Sequence, residues 1–220
     1  MNSEGRRRLL TLEGMEGCGK TTQIHFIEEW LTSMGHSVLT LREPGGTPLG
    51  EAIRHLLKHD DSGIEMCPET ELLLFAASRA ELTRKRILPH LEAGGWVICD
   101  RFLDSTTIYQ GRARNLPLSI VETINHFAVD STLPGLTLVL DLPFETAWQR
   151  AQARRKPEDL RDRMEEEPES FYRQVSDAYR KLANQEPDRV RLISATSEPQ
   201  NVFEQIKQEM SHAFPGILDS

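Results

Sequence analysis

Gly14-Met15-Glu16-Gly17-Cys18-Gly19-Lys20-Thr21-Thr22 is the stretch that decides the fold. It reads G-x-x-x-x-G-K-T, the phosphate-cradling loop of nucleotide-binding proteins. The apolar run Leu9-Leu10-Thr11-Leu12 precedes it, and a helix-period run through Thr22, Ile24, Ile27 and Leu31 follows. Strand, glycine loop and helix is the order this chemistry needs. Glycines let backbone N–H groups turn toward one point, and the start of the helix adds positive dipole there. Gly14, Glu16, Gly17, Cys18, Gly19, Lys20, Thr21 and Thr22 are therefore expected to bind a nucleotide. Lys20 would reach its outer phosphates, and the Thr21 hydroxyl would ligate Mg2+.

The rest of the chain is consistent with one sizeable globular core. It has 220 residues, 38% hydrophobic and 27% charged. No apolar run reaches the roughly 18–20 residues that span a bilayer. The basic N-terminus, Arg6-Arg7-Arg8, has only a four-residue apolar stretch behind it, too short for a signal-peptide core. The expectation is a cytoplasmic protein without a membrane partner. Cys18, Cys67 and Cys99 have neither disulfide-framework nor zinc spacing, so Cys18 and Cys99 read as small space-filling residues. A net charge of −8 argues against non-specific nucleic-acid binding. It does not argue against a phosphate substrate, because the field in a cleft can oppose the global sign.

Five apolar runs predict strands at Leu9–Leu12, Ser37–Leu41, Trp96–Cys99, Leu136–Leu140 and Val190–Ile193. Helical patterns lie between them. This alternation predicts an α/β fold of one domain, a five-stranded parallel sheet with helices on both faces. Ligands in such sheets bind at the carboxyl ends of the strands. The second strand runs into Arg42-Glu43-Pro44-Gly45-Gly46-Thr47-Pro48, either a cleft-facing loop or an ordinary turn with solvated charges. A helix from Leu49 to Lys58 carries Arg54, and Asp60–Gly63 reads as a loop. A long helix follows, from Glu69 to about His90, with Phe75 and Arg79 on one face. Phe75 alone reads more readily as core than as a base-stacking platform, and Arg79 beside it, needing an anion or a polar partner, narrows that margin. The third strand ends at Asp100, placed as the second Mg2+-associated carboxylate, and the fork of Arg101 can hold a phosphate. Asp104–Gly111 groups hydroxyls, a ring and an amide, which suits either base and sugar recognition or a polar surface helix. After a helix from about Phe144 to Arg154, six basic residues cluster between Arg150 and Arg163. They read either as a solvated charge run or as a mobile lid, about residues 150–167, supplying guanidinium groups to a transition state.

Taken together these residues resemble the thymidylate kinase family over nearly the whole chain. The resemblance rests on GMEGCGKTT (14–22), REPGGT (42–47), the Phe75/Arg79 pair, DRFLDSTTIYQG (100–111) and DRME (162–165). It implies a nucleoside-monophosphate-kinase fold of the P-loop class, ATP and Mg2+, and dTMP as acceptor. Phe75 would stack on thymine and Arg79 would hydrogen-bond its carbonyl, with Thr106 and Gln110 at the base edge. Arg42 and Arg101 would hold the dTMP phosphate, joined by Glu43, Pro44 and Arg54 on the substrate side. Pro44 would follow a cis peptide. Tyr109 would lie where a 2′-hydroxyl would project, and Glu16 near the phosphate, sugar or metal. Asp100 would act on Mg2+ through water. The loop carries no arginine, which is similar to the mostly bacterial kind with its catalytic arginine in the lid. Arg154 and Arg163 are then candidates for the transition-state cation, beside Lys20 and Arg101. The resemblance also implies a homodimer. Phe102, where relatives carry Tyr or His, and Ile108, where Ala is usual, depart from the family pattern, and Lys156–Arg161 looks longer than in many relatives.

The implied reaction is in-line transfer of the γ-phosphoryl group of ATP to dTMP, giving dTDP and ADP. Three rivals are a kinase for another nucleoside monophosphate, a GTP-dependent switch and an inactive nucleotide-binding partner protein. The switch would need an N-K-x-D motif, which the sequence lacks, and the inactive protein would lack Lys20, Asp100 or the lid arginines, which are present.

Overall fold

A computed structural model describes residues 8–58, 66–154 and 163–215. Residues 1–7 of the basic N-terminus, the Asp60–Gly63 loop and, of the lid expected over about 150–167, residues 155–162 lie outside the described residues. The strands are β1 (Leu9–Glu13), β2 (Val38–Arg42), β3 (Trp96–Asp100), β4 (Leu136–Asp141) and β5 (Val190–Ser194). They form one parallel sheet in the order β2-β3-β1-β4-β5. Each strand runs one residue further than its apolar stretch, ending on Glu13, Arg42, Asp100, Asp141 or Ser194. Those polar ends face the crevice that chemistry uses in open α/β sheets.

The helices are α1 (Lys20–Ser33), α2 (Pro48–Lys58), α3 (Pro68–Leu82), α4 (Leu88–Glu92), α5 (Leu103–Thr106), α6 (Leu118–Val129), α7 (Phe144–Arg154), α8 (Glu169–Gln185) and α9 (Pro199–Ala213). The single helix expected over Glu69–His90 is therefore α3 and α4 joined by a π-helical turn at Thr83–Ile87. Pro89, lacking an N–H, sits in the first turn of α4, immediately after that π-helical turn. A second π-helical turn, Thr107–Ala113, extends α5 and carries Tyr109 and Gln110.

The core divides across the sheet because side chains alternate along a strand. Leu10, Leu12, Trp96, Ile98 and Leu138 pack on one face with Ile27, Val175, Phe203 and Ile206. Leu9, Val97 and Cys99 point to the other face and meet Leu41, Leu82, Ile87 and Phe102. Burying both faces explains why the strands read as continuous apolar runs. Helix α8 shows the matching helical logic. Phe171, Val175, Ala178, Tyr179 and Leu182 form its buried stripe at spacings of three and four.

Candidate active site

The phosphate loop joins β1 to α1. Gly17 has φ +79°, and a Cβ there would meet the Ala147 carbonyl at 2.5 Å, so α7 packs directly on the loop. Gly19 has φ +99°, and a Cβ there would meet nothing within 4 Å, so here conformation rather than space demands glycine. The ammonium of Lys20 lies over the loop, donating to the carbonyls of Gly14 at 3.1 Å and Met15 at 3.0 Å.

A cavity of about 350 Å3 opens above the carboxyl ends of β1, β2 and β3. The loop contributes Glu16, Gly17, Gly19, Lys20 and Thr21 to its wall. From β2 and α2 come Arg42, Glu43, Pro44 and Arg54. Phe75 and Arg79 enter from α3, Asp100 and Arg101 from β3, and Thr106, Tyr109 and Gln110 from α5 and the turn after it. Residues spread over almost a hundred positions thus converge on one space. Gly14 and Cys18 lie behind the loop, against β4. Thr22 is exposed in the first turn of α1. Phe75 is half-buried and faces the cavity.

Arg101 is held tightly. Its backbone takes the left-handed conformation, φ 68°, which costs a non-glycine residue energy unless the surroundings enforce it. Two bonds do so: Arg101 N donates to Leu12 O at 3.0 Å, and Phe102 N donates to Glu13 Oε1 at 2.8 Å. The guanidinium lies 5.1 Å from the centre of the Tyr109 ring and donates to Ser105 Oγ and Tyr179 OH, each at 3.2 Å. Tyr179 OH in turn donates to Glu13 Oε2 at 2.7 Å. Burial pushes the Glu13 carboxyl above its ordinary range, against the opposing charge of Arg101. The Tyr109 hydroxyl is buried beside Arg101 and is pushed up to about 12, first by burial, so it stays protonated.

Arg79 is 1% exposed and nearly spent on protein partners. Nε and Nη2 both reach Glu43 Oε2, at 2.8 and 2.7 Å, and Nη2 also donates to Thr106 Oγ1 at 2.9 Å. Nη1 donates to Asn125 Oδ1 at 2.8 Å, which leaves one Nη1 hydrogen over. The other Glu43 oxygen, Oε1, meets no donor among the described residues. Burial with half its carboxyl unsolvated lifts Glu43 to about 7, even beside Arg79. Peptide Glu43–Pro44 is cis. Arg42 is exposed and paired with Glu51 at 3.1 Å, while Arg54 donates to Pro44 O at 3.0 Å.

The lid arginines part company. Arg154 ends α7, and its side chain lies outside what the structure describes. Arg163 is not among the residues lining the cavity. Its Nη2 lies 2.6 Å from Glu71 Oε2, and its Nε donates to Leu57 O at 3.3 Å. The cavity roof is instead lined by Ala151, Met164 and Tyr172. Phe102 is fully buried under the Arg79 guanidinium, 5.6 Å from its ring centre.

Four supporting residues escape a reading of the sequence: Glu13, Glu71, Asn125 and Tyr179. Glu13 ends β1, so the strand-end rule could find it. Glu71 stands one turn before Phe75 and two before Arg79, on the same helix face. Asn125 and Tyr179 carry no local signal.

Asp100 Oδ1 is buried without a hydrogen-bond partner among the described residues, and Asp100 shares the cavity with Thr21. Among the described residues no three His, Cys, Asp or Glu side chains converge as a metal cage. An ion held largely through water and substrate phosphates suits that donor set, as is usual for Mg2+. No helix among the described residues is long and apolar enough to cross a membrane.

The thymidylate kinase family model matches residues 12–206. A thymidylate kinase of Syntrophus aciditrophicus is 41% identical over 200 residues, covering 90% of this chain and 91% of its own. One from Syntrophotalea carbinolica is 42% identical over 208 residues, covering 93% and 95%. The crystal structure of thymidylate kinase from Ehrlichia chaffeensis superposes with a TM-score of 0.72 at 30% identity, covering 92% of this chain and 97% of that one.

Proposed function

Because the chain belongs to the thymidylate kinase family, we propose that this phosphotransferase moves the γ-phosphoryl group of ATP to the phosphate of dTMP, giving dTDP and ADP. One observation carries the reading. The phosphate loop shares a single cavity with an aromatic platform, Phe75, and with the polar groups of Arg79, Thr106 and Gln110. A donor's phosphates and an acceptor's base are thus accommodated side by side.

The acceptor is already an anion near neutral pH, so no strong general base is needed. The difficulty is bringing two anions together, and fixed cations answer it by preorganisation. Lys20 serves the donor phosphates. Arg101, held on Tyr109 and Tyr179, serves the acceptor phosphate with Arg42 and Arg54. Phe75 stacks on thymine, the remaining Nη1 hydrogen of Arg79 meets a base carbonyl, and Thr106 and Gln110 complete the edge. Tyr109 lies against the deoxyribose, and Glu16 faces both substrates. Thr21 and Asp100 would hold Mg2+, which supplies charge neutralisation on the phosphates when bound. Of the lid arginines we favour Arg154 as the transition-state cation, since Glu71 already engages Arg163.

We further propose one kinase domain, cytoplasmic, acting as a homodimer. Exposed apolar pairs stand seven residues apart on two helices, Leu49 with Leu56 on α2 and Ile120 with Phe127 on α6. Both helices pack against α3, which adds exposed Leu73. A second copy of the same layer would cover these side chains.

The test is Lys20→Ala and Arg101→Ala in a coupled ADP-release assay. Each should lower kcat about 10³-fold, as loss of a well-placed phosphoryl-transfer cation does. Full turnover by a folded variant would refute the mechanism.

A further inference from the structure

Glu71 is fully buried on α3 and is not part of the cavity wall. It nevertheless touches the base-edge group directly. Gln110 Nε2 donates to Glu71 Oε1 at 2.7 Å. A carboxylate only accepts hydrogen bonds, so the amide edge facing it must be nitrogen. The Gln110 oxygen is thereby turned the other way, and Gln110 lines the cavity. No described residue donates to that oxygen.

The carboxylate itself is locked. Arg114 donates to both of its oxygens, at 3.0 and 3.1 Å, and Arg163 approaches Oε2 to 2.6 Å. Burial alone would raise Glu71, but hydrogen bonds from Arg114 and Gln110 and the charges of Arg114 and Arg163 outweigh it and hold the group below the usual carboxylate range. Glu71 therefore stays an acceptor across the neutral range, and the amide has no reason to flip.

This polarity bears on substrate choice and rests on the proposed dTMP pocket. Thymine and uracil carry a hydrogen on N3, whereas cytosine carries a lone pair there and an amino group beside it. A carbonyl presented to the base edge accepts from the first kind and repels the second. We propose that Glu71 is a specificity-determining positioning residue, which fixes the Gln110 amide so that the pocket offers an acceptor and prefers bases bearing N3–H.

The test compares kcat/KM for dTMP and dCMP in the full-length enzyme. Glu71→Met removes the carboxylate and frees the amide to rotate. The dTMP-to-dCMP ratio should then fall about tenfold or more, because discrimination by a buried polar group depends on its being held in one orientation. A residue that only supported the fold would lower both rates and leave the ratio alone. Arg114→Met is the control. It removes one cation but keeps the contact between carboxylate and amide, so the ratio should stay at the wild-type value. If thermal melting shows that Glu71→Met does not fold, Glu71→Leu, which likewise offers Gln110 no acceptor, is read in the same way. A wild-type ratio in a folded Glu71 variant overturns the proposal. Failure of the unaltered enzyme to use dTMP overturns the underlying reading instead.

Discussion

Replacing Tyr179 by Phe tests how Arg101 is held. The ring keeps its packing in α8, and only the hydroxyl is lost. That hydroxyl donates to Glu13 Oε2 at 2.7 Å, lies 2.9 Å from Ser105 Oγ and accepts from Arg101 at 3.2 Å. Tyr179 is 2% exposed, so water cannot replace these bonds cheaply. Glu13 keeps Phe102 N and Ser105 as donors, so the buried carboxylate is impoverished rather than stranded. One charge-assisted buried bond sets the cost at about 2 kcal/mol. For a chain of this size that lowers Tm by about 4–8 °C. Arg101 keeps Ser105 and the Tyr109 face but loses a fixed point, so kcat should fall about tenfold, well short of the loss on deleting the guanidinium. Differential scanning calorimetry and the coupled ADP-release assay read the two effects. A variant with wild-type Tm and wild-type kcat would show that the Glu13–Tyr179 contact does not position Arg101.

Other outcomes follow from the same geometry. Glu43 titrates at about 7 in the folded chain against an ordinary 4.5. The folded state thus holds a proton that the unfolded state releases, and this contribution to stability is full below pH 4.5 and lost as pH rises through 7. Denaturant melts of Glu43→Gln should show a flatter pH slope than wild type over that window, by about 3 kcal/mol in total; an unchanged slope would contradict the assignment. Phe127 is 81% exposed on α6, so Phe127→Asp should halve the mass seen by light scattering without lowering the Tm of the monomer; an unchanged mass would remove this face from the dimer contact. Asp100→Asn should raise the Mg2+ concentration needed for half-maximal rate, read by titrating Mg2+ at fixed ATP; an unshifted curve would remove Asp100 from the metal site.

Much of the fold was legible because each signal was local. A sheet covered on both faces needs uniformly apolar strands, and five such runs stand in the sequence. The glycine loop names its own neighbours. Helix α6 was not marked out by the sequence, because Ile120 and Phe127 put apolar side chains on its outer face and blur the amphipathic period. The cavity wall was legible for the same reason as the fold, since strand ends and one helix face point there. Its supports were not. Glu13 meets Phe102 and Tyr179 across 89 and 166 residues of chain, and Glu71 meets Gln110 and Arg114 across 39 and 43. Sequence also shows that arginines stand in the 150–167 segment, but not that a buried carboxylate, Glu71, engages Arg163.

Whether this cavity pairs ATP with dTMP is decided most directly by ADP release from the unaltered enzyme with ATP, Mg2+ and each of dTMP, dUMP, UMP and dCMP. Turnover with dTMP should show the highest kcat/KM, with UMP disfavoured by Tyr109 and dCMP by the Gln110 acceptor. No turnover with dTMP, or a preference for dCMP over it, would contradict that pairing.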